Sequence, residues 1–148
     1  MTKYKFRASE FMTVREKELV LRSWVRFLKN GLRREDLTSR LYGHLILHCS
    51  FIAHYDCGGF YGTYFENGED TLRFLSQFDK RGDCHSVEYG GTSWMQGEYG
   101  DLAKAMIKEA APHIPRLKEA ALTQQRLYDL AHAEQLAAKH GVELNLTD

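Results

Sequence analysis

Apolar positions recur at helical spacing along most of the chain, and the first such run covers 12–30. Val20, Trp24, Phe27 and Leu28 fall on one side, while Arg15, Glu18, Arg22, Arg26 and Lys29 fall on the other. Thr13 followed by Glu16 has capping-box spacing at the start, and Asn30-Gly31 carries the usual stop chemistry. A second helix is predicted from about Arg34 to about His54. Its apolar stripe is Leu37, Leu41, Leu45 and Ile52, and His44, His48 and Tyr55 share that stripe. The short connection predicts that these two helices pack as an antiparallel pair.

After Asp56-Cys57-Gly58-Gly59 the period changes. Phe60-Tyr-Gly-Thr-Tyr-Phe65 is aromatic-rich and reads as a strand, with Asn67-Gly68 as punctuation. Leu72, Leu75 and Phe78 carry a short helix over 69–79, and Gly90-Gly91 between two β-prone runs reads as a hairpin within 85–96. A helix over 99–111 and a final one from Pro115 to about His140, stopped by Gly141, complete the order. The expected fold class is α+β: about five helices with a small antiparallel sheet from 60–65 and 85–96. Expected core residues are Trp24, Phe27, Leu41, Leu45, Phe74, Leu75 and Trp94.

At 148 residues and 43% hydrophobic, one domain is expected over 1–148. Within it lie an N-terminal helical hairpin (12–56), a small sheet with a short helix (57–98) and C-terminal helices (99–141). No run of 18 apolar residues is present and the start lacks a signal-peptide apolar core, so a cytoplasmic protein without membrane association is expected. Three cysteines suggest no disulfide framework. The zero net charge hides an asymmetry. Residues 1–40 hold eleven Lys/Arg against five Asp/Glu, and the remainder reverses that excess. Such a basic quarter either meets an anionic partner or neutralises acidic helices of its own chain.

Candidate chemistry clusters in 42–65. His44 and His48, one helical turn apart, are candidate ligands for a divalent ion such as zinc, with His54 and Asp56 as the nearest completing groups. The same residues define a histidine-dependent hydrolase reading, with His48, His54 and Asp56 as its catalytic candidates. Against both stands a pair of core histidines satisfied by internal acceptors. A Cys₂His₂ zinc set of His54, Cys57, Cys84 and His85 is weakened because adjacent Cys84 and His85 diverge on an extended backbone. Cys57 with His54 or His85 as base is a chance-level thiol pair. Phosphate loops, dinucleotide fingerprints and nucleophile elbows are all missing from the sequence.

The leading expectation is therefore a non-enzymatic regulatory protein, without a resident cofactor, that binds a protein partner through its surface. The candidate contact residues are Arg22, Arg26, Lys29, Arg33, Arg34 and Arg40 of the basic hairpin, with Tyr61 and Tyr64 of the aromatic run. Electrostatic nucleic-acid binding by the same hairpin is the third reading, with phosphate contacts and no base-reading element.

Overall fold

A computed structural model describes residues 4–49, 51–79 and 97–141. Its elements are α1 (Val14–Lys29), α2 (Ser39–His48), α3 (Cys57–Phe65), α4 (Gly68–Ser76), α5 (Gly100–Ala110) and α6 (Ile114–His140). Short 3₁₀ turns at Arg34–Asp36 and Gly97–Tyr99 precede α2 and α5. Among the described residues there is no strand, only an isolated bridge between Ser9 and Met12. The α+β expectation is thus overturned for 60–65. The predicted hairpin in 85–96 and core residue Trp94 lie outside the described residues.

The first helix forms for local reasons. The Thr13 hydroxyl accepts from the Glu16 N–H at 3.1 Å, while the Glu16 carboxylate accepts from the Thr13 N–H at 3.1 Å. At the other end Gly31 takes φ +80°, and the Leu32 N–H reaches back to the Phe27 carbonyl at 2.8 Å. The second helix is shorter than the sequence predicts. It begins only at Ser39, where the Thr38 hydroxyl caps the Leu41 N–H, and ends at His48. Ile52 and Tyr55, assigned to its buried stripe, are 57% and 104% exposed.

Residues 57–65 form a helix that takes in the whole of the strand predicted over 60–65. The Asp56 carboxylate accepts from the Gly59 N–H at 2.7 Å and caps the first turn. Phe60, Tyr64 and Phe65 are buried, a helical spacing that turns one face onto Phe51, Phe27 and Phe74. Fully burying such rings contributes on the order of 1.5–3 kcal/mol each. That gain outweighs the roughly 1 kcal/mol per glycine lost in a helix, so packing overrides local propensity.

The core is a continuous aromatic cluster. Trp24 of α1 lies 4.5 Å from Phe78 and 6.0 Å from Phe74 by ring centroid, and its indole N–H donates to the Met106 carbonyl of α5 at 2.9 Å. Trp24, Phe27, Leu41, Leu45, Phe74 and Leu75 are all buried as expected. Helix α1 packs against α2 and α5, α3 against α4, and α4 against α6. The α4–α6 approach depends on Gly68. A Cβ there would collide with the Ala121 carbonyl oxygen and stand 2.9 Å from the Gln125 backbone nitrogen. Gly68→Ala should therefore cost about 1–3 kcal/mol by overpacking, reversing the gain of up to about 1 kcal/mol that Gly→Ala gives in an open helix. Urea melts read the sign, and a stabilised variant would mean that the two helices sit farther apart.

Candidate functional site

Two surface features gather the chemistry-bearing side chains. One is a cleft of about 240 Å³ between the start of α1 and α2, lined by residues including Met12, Glu16, Arg40, His44, Leu47 and His48. The helical register of α2 places the His44 and His48 rings 5.0 Å apart, the former buried and the latter half-exposed. Nδ1 of His44 has no hydrogen-bond partner among the described residues. Burial, then the neighbouring His48 and Lys17, pushes the His44 pKa down from 6.5 to about 3. His44 is therefore a neutral imidazole at physiological pH. Burial also lowers the pKa of His48, which solvent reaches.

Behind His48 lies a buried charge. The Lys17 side chain is fully buried, and its ammonium donates to the Asp101 carboxylate at 2.8 Å and to the Glu98 carbonyl at 2.7 Å. Lys17 Nζ lies 5.8 Å from the Tyr99 ring, which stacks on His48 at 3.9 Å. Burial pushes the Asp101 carboxyl up, but hydrogen bonds from Lys17 and from the Arg7 and Leu102 N–H groups hold it below the usual carboxylate value. Asp101, Lys17, Tyr99, His48 and His44 thus form one connected chain that ties α5 to α1 and α2. Lys17 was missed in the sequence. It carried a signal, since position 17 is in phase with Val20 and Trp24 on the apolar stripe of α1.

The other metal candidates stand elsewhere. Asp56 caps α3, and the His54 ring meets Tyr64 edge-on at 5.3 Å in a loop where His54 takes φ +53°. The four residues therefore divide into two pairs with separate local roles. Among the described residues no three His, Cys, Asp or Glu side chains gather as a metal-holding group. Cys84 and His85 lie outside the described residues. The Cys57 thiol donates to the Leu37 carbonyl at 3.5 Å, and burial raises its pKa, so it is not an activated thiolate.

The second feature is a groove of about 790 Å³ along the outer face of α1. Arg15, Arg22, Arg26 and Lys29 line it with Glu18, over Leu21, Val25 and Tyr4. Arg15, Arg22 and Lys29 form no ion pair among the described residues and are exposed. Arg26 is 74% exposed and lies 3.4 Å from the buried Asp36 carboxylate. Arg33 serves that same carboxylate, Nε donating at 2.9 Å beside Asn30 at 3.0 Å. Arg33 is thus part of the α1–α2 connection. Arg34 lies beside Gly58, and Arg40 borders the histidine cleft. Of the two aromatic contact candidates, Tyr64 is buried, while Tyr61 is half-buried with its hydroxyl donating to the Leu32 carbonyl at 2.8 Å.

No protein-family model, curated protein or solved structure matches the chain. Among the described residues no helix is long and apolar enough to cross a membrane.

Proposed function

We propose that the protein is a binding protein whose α1 groove holds an acidic segment of a protein partner. The observation that carries this reading is the alignment of Arg15, Arg22, Arg26 and Lys29 along one groove with an apolar floor. Cations at positions 15, 22, 26 and 29 recur on a single helical face, so a partner with carboxylates at matching spacing meets several at once. Leu21 and Val25 add an apolar contact that a phosphate backbone does not use. Glu18 within the groove disfavours a uniformly anionic polymer. These features favour an amphipathic acidic peptide over nucleic acid.

The test measures fluorescence anisotropy with a labelled Glu/Leu amphipathic peptide and, separately, a single-stranded oligonucleotide. The peptide should bind, and Arg15→Glu, Arg22→Glu and Lys29→Glu combined should weaken it at least about tenfold, roughly 1.4 kcal/mol. The same triple change should move stability by no more than about 0.5 kcal/mol, because these charges are exposed. Arg26 and Arg33 are left intact because they serve Asp36. Peptide binding indifferent to the triple change would remove the groove from the reading. Binding of the oligonucleotide alone, with steep salt dependence, would replace the protein partner by nucleic acid.

A further inference from the structure

The 27-residue helix α6 is about 40 Å long at 1.5 Å per residue, yet only its first third is packed. Ala121 is its last buried side chain, and every described residue from 122 to 140 is exposed or half-exposed. Among the described residues the last hydrogen bonds from α6 to the body come early, where Gln124 donates to the Glu66 carbonyl and Gln125 accepts from the Glu69 N–H. Beyond them Leu127, Tyr128 and Leu136 are 61%, 59% and 45% exposed. A helical segment of this length without an apolar face buried is marginal in water, because helix stability in proteins comes mainly from tertiary packing.

The exposed segment has an internal symmetry. On the side of α6 away from Ala121 and Gln125, helical spacing aligns Arg126, Leu127, Leu130, Ala133, Glu134 and Ala137 in one stripe. The stripe is self-complementary about Leu130. Arg126 lies four residues before it and Glu134 four after, while Leu127 lies three before and Ala133 three after. We propose that this stripe pairs antiparallel with the same stripe of a second copy of this chain, about a two-fold axis at Leu130. Each Arg126 then meets Glu134 of the second copy, each Leu127 packs opposite an Ala133, and the two Leu130 side chains meet on the axis. An isologous contact of this kind closes on itself and stops at a dimer. The parallel arrangement is disfavoured because it sets Arg126 against Arg126 and Glu134 against Glu134. The interface lies on a different helix from the α1 groove and stands independently of the function proposed for it.

Sedimentation velocity on the full chain, from micromolar to near-millimolar concentration, tests the pairing. The expected result is a concentration-dependent monomer–dimer equilibrium that Leu130→Glu shifts to monomer, with an unchanged melting curve for the body at low concentration. Arg126→Glu and Glu134→Arg should each abolish self-association when alone. An equimolar mixture of these two variants should restore it, because every cross-copy pair is then a Glu with an Arg. A chain that stays monomeric throughout would overturn the proposal. So would a dimer unaffected by Leu130→Glu, or a mixture of the two charge variants that stays monomeric.

Discussion

Asp101→Ala should destabilise the protein by about 3–5 kcal/mol, the usual consequence of stranding a buried charge. The Lys17 ammonium is fully enclosed and among the described residues has two acceptors, the Asp101 carboxylate and the Glu98 carbonyl. Removing the carboxylate leaves a desolvated cation with one neutral partner. Asp101 itself is 30% exposed and takes two further backbone N–H donors, so it tolerates the opposite loss better. Lys17→Met should therefore cost less than Asp101→Ala. Adding Lys17→Met to Asp101→Ala should recover part of the loss, because the stranded charge is then gone. Urea denaturation of the two single variants and the double variant gives the cycle directly. A cost below about 1 kcal/mol for Asp101→Ala would mean that the Lys17 side chain reaches solvent.

The second large effect is on the pH dependence of stability, through His44. Its folded pKa is depressed to about 3 while the ordinary value is 6.5. Above pH 6.5 the imidazole is neutral in both states and its titration contributes no slope. Below 6.5 the unfolded chain takes up a proton that the folded chain refuses, so stability falls with pH. The fall is up to about 1.4 kcal/mol per pH unit and ends near the folded value. His44→Leu removes this contribution, and because Nδ1 has no hydrogen-bond partner among the described residues the substitution strands no group there. Relative to wild type, the variant should gain about 2 kcal/mol of stability on moving from pH 7.5 to pH 5. The carboxylates with lowered values, among them Asp36 and Asp101, lose their stabilisation only at lower pH as they protonate, outside this window. His48 and His113, also lowered by burial, contribute to both proteins alike. Equal pH slopes in wild type and variant would show that His44 is hydrated or paired in solution.

The helices that could be read from the chain are those whose instructions are local. Helix α1 carries its cap, its stop and its apolar stripe within the nineteen residues from Thr13 to Gly31, and its basic outer face follows from the same register. The end of α6 at Gly141, in the left-handed conformation with φ +66°, is equally local. Helix α2 was legible in its stripe of Leu41 and Leu45 but not in its ends. Its start depends on Asp36 being bonded to Asn30 and Arg33, which leaves Thr38 to cap. The segment 57–65 misled because a short aromatic run rich in glycine suits a strand by propensity, and its period is too brief to decide.

The candidate site divides in the same way. That His44 and His48 share a face was fixed by their spacing, and so was the alignment of Arg15, Arg22, Arg26 and Lys29. That Asp101 meets Lys17 and that Tyr99, just before α5, covers His48 depends on α5 docking against α1, across more than eighty residues of chain. Periodicity sets which side chains point the same way along one helix, because φ and ψ repeat from residue to residue. Which neighbour each face meets, and hence which charges lose their water, depends on contacts between segments far apart in the chain, and no local repeat encodes those.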